Sequence, residues 1–319
     1  MKTLKELSSE ILGFRSILLF CHIRPDGDTL GSAVALCLAL RQKGIKCDII
    51  CDGKILPKYC LNDTFLGILP VETQLERYDA HISVDIPGEH LFGRAWGIYS
   101  AGEKVYAIDH HLSNSRYTKN LWLEQLPANA LLIYKLLIEM KVDFSKEIAE
   151  SLLLGIITDT GNFMHNSTSA ECLIVAGELL KYGANMQKIV DKVFKSQTKE
   201  RSQLYLSVMS KMRFLLDSKL AIITISKQDL SKYGLEEDAT EGFVDYPLTI
   251  EPVEVAVSLL EFKNELYRVS FRSRGKVNVN EVASEFGGGG HTMASGCVIS
   301  GPYEEVIEKI TRAVDINIY

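Results

Sequence analysis

Apolar and polar positions change rhythm twice along this chain. In the first half, short apolar runs alternate with stretches of helical spacing. SILLFCHI (16–23) reads as a buried strand, and DGDTLGSAVALCLALRQKG follows it at once as a helix ending at Gly44. CDIICDG, AHISVDIP and KVYAIDHH read as further strands with helical or loop segments between them. Such alternation predicts a parallel sheet covered by helices on both faces, with ligands at the carboxyl ends of the strands. From Ala128 to about Met212 the spacing is helical: ANALLIYKLLIEM, SKEIAESLLLGIITDTG, SAECLIVAGELLKYG, then a polar stretch without Pro or Gly. FLLDSKLAIITIS, VEVAVSLLEF and LYRVSFRS then return to strand patterning, followed by a helix, VNEVASEF, and a glycine run. The expected fold class is α/β: an N-terminal parallel sheet flanked by helices, a helical connector, and a smaller α+β domain, with the active site in the interdomain cleft. The expected divisions are 1–185, 186–213 and 214–319.

Composition narrows the function classes. In 319 residues, 46% hydrophobic and 24% charged positions exclude a disordered chain. Lys and Arg number 35 against 41 Asp and Glu, a net charge of −6. That balance argues against coating long duplex nucleic acid, and permits a small anionic substrate if metal ions reverse the local field. The longest apolar run, Ala33 to Leu40, is far short of the ~20 residues that span a bilayer, so no membrane partner is expected. The N-terminal segment does not read as a signal peptide, and the seven scattered cysteines fit reduced thiols. A cytoplasmic location is expected.

The chemistry gathers where strands end. His22, Asp26 and Asp28 lie in H-I-R-P-D-G-D, between a strand and a helix N-terminus. One Asp there serves as an N-cap, but a cap needs neither a second Asp nor an upstream His. Asp85 in S-V-D-I-P, Asp109-His110-His111 in A-I-D-H-H, and Asp159 in T-D-T-G each follow an apolar run. Carboxylates gathered together repel unless cations sit among them. The economical reading is two divalent ions roughly 3.5–4 Å apart. Mixed His and carboxylate ligands favour Mn²⁺ over Mg²⁺, with Co²⁺ and Zn²⁺ left open. A second cluster holds Arg272, Ser273 and Arg274 in F-R-S-R-G-K, with Gly288, Gly289, Gly290 and His291 in the glycine run, and reads as an anion-binding surface. No P-loop and no G-x-S-x-G elbow exists. His81 and His90 read as surface or packing residues, and His165 as cleft-lining or structural.

Taken in order, H-I-R-P-D-G-D-T-L-G-S, S-V-D, I-D-H-H, T-D-T-G and the late G-G-G-G-H resemble the DHH phosphoesterase superfamily, in its two-domain nano-RNase and pAp phosphatase branch. The resemblance spans essentially the whole chain. It implies that His22, Asp26 and Asp85 hold one metal and that Asp28, Asp85, His110 and Asp159 hold the other. His111 would contact the scissile phosphate, with Asp109 orienting the histidines. Arg272, Ser273, Gly288–Gly290 and His291 would hold the rest of the nucleotide. The implied activity is hydrolysis of very short single-stranded RNAs and of 3′-phosphoadenosine 5′-phosphate, by attack of a hydroxide held between the ions. Turnover of linear or cyclic dinucleotide signals, or nucleotide sensing without turnover, are the alternatives. A homodimer is a family-level expectation. Met164, Ser167 and Leu131 depart from the family pattern, which bears on substrate preference. On this reading Asp28→Ala abolishes turnover and leaves the fold intact.

Overall fold

The computed structural model describes residues 2–73 and 77–318, which divide into two compact units, Met1–Ser196 and Gln197–Tyr319. In the first unit the elements run α1 (Leu4–Ile11), β1 (Ser16–Phe20), α2 (Gly27–Gln42), β2 (Lys46–Cys51), α3 (Asp63–Leu66), β3 (Leu69–Pro70), β4 (Ala80–Val84), α4 (Ala95–Ser100), β5 (Val105–Asp109), β6 (Leu121–Leu123), α5 (Asn129–Glu139), α6 (Lys146–Asp159), α7 (Ala170–Lys181) and α8 (Met186–Val190). Its six strands stand in the order β3-β2-β1-β4-β5-β6, all parallel.

Period-two alternation decides which face each strand residue serves. Ile17, Leu19 and Cys21 pack into the core under α2, α5 and α6. Leu18 and Phe20 point the other way, into an aromatic cluster with Phe92, Tyr99 and Trp96. Both faces of β1 are therefore covered, which is why SILLF is apolar without interruption. The helix α2 is buried along nearly its whole length and is correspondingly apolar all round.

The second unit contains α9 (Lys199–Met209), β7 (Arg213–Leu215), β8 (Leu220–Ile225), α10 (Lys227–Lys232), β9 (Val255–Lys263), β10 (Leu266–Ser273), α11 (Val279–Ser284), β11 (Gly289–His291), β12 (Ala294–Ser300) and α12 (Tyr303–Ile318). Its sheet runs β11-β12-β10-β9-β8-β7 and is antiparallel except for β8 beside β9. One face packs on α11 and α12 through Val282, Val306, Ile310 and Val314. The other packs on Leu204 and Val208 of α9 and on Phe243. The polar stretch read as a connector is broken: α8 and a π-helical turn (Asp191–Lys195) belong to the first unit, and α9, capped by Thr198, opens the second. Among the described residues, no helix is long and apolar enough to cross a membrane.

Candidate metal centre

Strand order reverses between β1 and β4: the chain leaves β1 toward β2 on one side, and β4 leads to β5 on the other. At such a switch point the loops diverge and leave a crevice at the carboxyl ends of the strands. His22, Asp26 and Asp28 follow β1, Asp85 follows β4, and Asp109, His110 and His111 close β5. Asp26 is the N-cap of α2, its Oδ1 accepting the backbone N–H of Asp28 and of Thr29, each at 3.0 Å. The Thr29 hydroxyl donates to the Val84 carbonyl at 3.0 Å, tying that helix start to the end of β4. Asp85 has left-handed backbone, φ 61°, held by its N–H donating to the Ile108 carbonyl at 2.9 Å. A non-glycine residue held in that region costs of order 1–3 kcal/mol and points to a functional constraint.

Asp159 reaches the same place by another route. It is the last residue of α6 rather than the end of a strand, so the strand-end reading applies to the other three clusters alone. A carboxylate in the last helical turn faces the negative end of the helix dipole, and no basic residue stands in that turn. Gly31 and Gly155 let α2 and α6 cross closely enough to bring Asp159 in. A Cβ on Gly31 would meet the Ser151 carbonyl at 2.3 Å, and one on Gly155 would meet Asp28 Oδ1 at 2.6 Å.

Three groups of potential ligand atoms result, each lying within 4.8 Å: His22–Asp26–Asp85, Asp28–His110–Asp159 and Asp85–His110–His111. Asp85 faces two ways. Its Oδ2 stands 3.8 Å from His22 Nε2, while its Oδ1 stands 3.3 Å from His110 Nε2 and 3.5 Å from His111 Nδ1. His22 Nε2 lies 3.7 Å from Asp26 Oδ1, and His110 Nε2 lies 3.6 Å from Asp159 Oδ2. These separations exceed normal hydrogen bonds. They are close to the ~3.0–3.4 Å between atoms that share a cation with bonds of about 2.1 Å. Asp85 is 2% exposed, and its Oδ1 has no hydrogen-bond partner. An orphaned carboxylate oxygen aimed into a ring of ligands is what a cation would satisfy, so the donor set fits two divalent ions.

Electrostatics agree. Burial and the neighbouring Asp28 push the Asp85 and Asp159 carboxyls well above the usual range, and burial raises Asp28 as well. For His110, burial opposes the charge, but Asp85, Asp28 and Asp159 overcome it and push the imidazole up to about 11. Asp26 is lowered: burial opposes ionisation, yet His22 and two backbone N–H groups prevail. The cluster demands positive charge, from protons or from cations.

Ring orientation is set from behind. His110 Nδ1 donates to the Leu126 carbonyl at 2.7 Å, which turns Nε2 toward Asp85 and Asp159. His111 Nδ1 donates to Asp109 Oδ1 at 2.9 Å, which fixes the ring from one side. Asp109 is fully buried, and also accepts the His110 N–H at 2.9 Å and Asn114 Nδ2 at 2.6 Å. No motif pointed to Asn114; its place five residues after Asp109 becomes meaningful only once the turn is seen.

Asp28 carries a structural duty that its motif does not reveal. The N-cap of α5, Ala128, offers no side-chain acceptor; Asp28 instead accepts the N–H of Asn129 at 2.5 Å and of Ala130 at 2.9 Å. Asp28→Ala therefore removes a buried helix cap as well as a candidate ligand, and a lost cap costs about 0.5–2 kcal/mol of stability. His165 Nδ1 lies 3.2 Å from the Asp159 carbonyl on an exposed ring, and Met164 is exposed, whereas Leu131 is buried in the core. His81 is a packing residue against Phe20 and the Tyr99 carbonyl, and His90 is exposed.

In the second unit, Arg272 Nε donates to Asp245 Oδ1 at 3.0 Å, and Arg274 donates to the Leu248 carbonyl. Ser273 is buried, its hydroxyl accepting the Gly275 N–H at 3.0 Å. Gly289, Gly290 and His291 form the exposed edge strand β11. A Cβ on Gly288 would meet the Gly296 carbonyl at 2.2 Å, so the close pairing of the hairpin requires glycine there.

Residues 16–156 match the DHH family, N-terminal domain, and residues 217–318 match the DHHA1 domain. The chain is 32% identical over 314 residues to a protein of Thermus thermophilus named bifunctional oligoribonuclease and PAP phosphatase NrnA, covering 93% of this chain and 91% of that one. It is 28% identical to the Bacillus subtilis protein of the same name, covering 94% and 93%. A crystal structure titled exopolyphosphatase-related protein, from Bacteroides fragilis, superposes with a TM-score of 0.90 at 27% identity, over 98% of this chain and 95% of that one. RecJ of Thermus thermophilus, solved with Mn²⁺, shares the fold at 14% identity, with a TM-score of 0.59 over 99% of this chain and 54% of its own.

Proposed function

The chain belongs to the DHH family of phosphoesterases, and we propose that it hydrolyses very short single-stranded RNAs and 3′-phosphoadenosine 5′-phosphate. The observation that carries this reading is the shared Asp85 carboxylate, with one oxygen toward His22 and the other, unpartnered, toward His110. Its support from relatives is the activity named for the Thermus thermophilus and Bacillus subtilis proteins.

His22, Asp26 and Asp85 would hold one divalent cation, and Asp28, Asp85, His110 and Asp159 would hold the second. Mn²⁺ is the ion the mixed donor set suits best. Such cations would supply a lowered pKa for bound water and positive charge against the phosphoryl group. His111, oriented by Asp109, presents Nε2 to a phosphoryl oxygen or to the departing 3′ oxygen, which must gain a proton as its bond to phosphorus breaks. Arg272, Arg274, Ser273, the Gly288–Gly290 backbone and His291 hold the remaining phosphate or base. For 3′-phosphoadenosine 5′-phosphate the products are AMP and phosphate.

The test is product formation with Mn²⁺ on a diribonucleotide and on 3′-phosphoadenosine 5′-phosphate side by side. Turnover of either, abolished by chelator, supports the proposal. Tight nucleotide binding with no turnover of either replaces it with a sensor.

A further inference from the structure

Asn129 opens α5 in the middle of this machinery. It is 0% exposed, and neither Oδ1 nor Nδ2 has a hydrogen-bond partner. Leaving a buried polar group unpaired costs about 1–3 kcal/mol, so a wholly isolated amide marks a missing partner. Its place narrows what that partner is. The Asn129 N–H donates to Asp28 Oδ2 at 2.5 Å, so covalent geometry keeps the side-chain amide within about 7 Å of that carboxylate. Three residues earlier, the Leu126 carbonyl holds His110 Nδ1 at 2.7 Å. One short segment thus positions two members of the Asp28–His110–Asp159 group. Asn129 therefore adjoins Asp28, a member of that group.

We propose that Asn129 is a positioning residue for the second cation, its amide holding a water that completes that cation's shell next to Asp28. An amide supplies both an acceptor and donors, so it fixes a water's orientation where a carboxylate would only add charge. An oxygen-rich shell of this kind suits Mn²⁺ or Mg²⁺ over softer ions. The inference rests on the reading that Asp28, Asp85, His110 and Asp159 hold a cation.

Calorimetric titration with Mn²⁺ of wild type, Asn129→Ala and Asn129→Ser tests it, beside thermal melts in chelator. In wild type two equivalents are expected. Asn129→Ala should weaken the second at least tenfold with the first unchanged, and kcat should fall while KM holds. Asn129→Ser, which keeps a donor and an acceptor, should recover most of the affinity; Asn129→Leu, close in volume but unable to hold a water, replaces the alanine variant if that one melts below the assay temperature. Two wild-type-like equivalents in both variants would overturn the inference and leave the amide a purely structural feature. Fewer than two equivalents in wild type would overturn the two-cation reading and this inference with it.

Discussion

Replacing Gly155 with alanine sets two opposing effects against each other inside α6. Helix propensity alone favours alanine by about 1 kcal/mol. The added methyl, however, lies 2.6 Å from Asp28 Oδ1, 2.7 Å from the Ala130 Cβ and 3.3 Å from the Asp28 Cα. Ordinary contacts between such atoms begin near ~3.5 Å, so the two helices must separate by roughly 1 Å. Overpacking of that kind costs about 1–3 kcal/mol. The displaced group is the carboxylate that caps α5 and is proposed to hold the second cation, and its charge-assisted bonds to Asn129 and Ala130 stretch as it moves. Overpacking less the propensity gain leaves about 0–2 kcal/mol, and the stretched bonds to Asn129 and Ala130 bring the net loss to about 1–2 kcal/mol. For a unit of this size that lowers Tm by about 2–8 °C. Mn²⁺ affinity should fall about tenfold as Asp28 leaves its place. The assays are a thermal melt in chelator and a Mn²⁺ titration of the folded variant. A variant that melts higher than wild type and binds Mn²⁺ normally would refute the argument that this glycine exists to let Asp28 in.

Other residues make separate claims. Asp109→Asn keeps the shape but weakens the grip on His111 Nδ1, so kcat should drop about 10–100-fold while both Mn²⁺ equivalents still bind in calorimetry. The raised carboxyls of Asp28, Asp85 and Asp159 and the raised His110 bind more protons folded than unfolded, so their contribution is present at low pH and lost as pH rises through the folded values. In chelator, denaturant melts should therefore show stability falling from pH 6 to pH 9, and the stabilisation by added Mn²⁺ growing over the same range. Arg272→Ala should raise KM at least tenfold for 3′-phosphoadenosine 5′-phosphate with kcat changed less than threefold in steady-state assays, because Arg272 is proposed to hold the part of the substrate that does not react.

The strand ends were legible because their pattern is local. Apolar runs of four or five residues closing on Asp or His placed His22, Asp85, Asp109 and His110 at the carboxyl edge of a parallel sheet, and the structure brings them together there. Asp159 was legible as a candidate ligand, and the helical spacing of SKEIAESLLLGIITDTG already placed it on a helix; grouping it with the strand ends was the misstep, since it closes α6. The strand β12 was hidden by its glycine-rich approach, which carries turn chemistry into a hairpin. Nothing local could reveal that Asp28 caps a helix 101 residues away, and no motif marked Asn114 as a donor to Asp109. The Asp28 cap depends on how closely α2 and α6 cross, and that closeness is encoded by Gly31 and Gly155, which look like ordinary small residues in an apolar helix.

The central claim is that one buried carboxylate serves two cations, and Asp85→Asn tests it most directly. Asparagine tolerates the left-handed backbone at φ 61° and matches the shape, so the fold persists while the shared charge disappears. Calorimetric titration with Mn²⁺ should give two equivalents in wild type and no tight equivalent in the variant, with turnover lost in parallel. Two equivalents retained in Asp85→Asn, with turnover intact, would contradict the account.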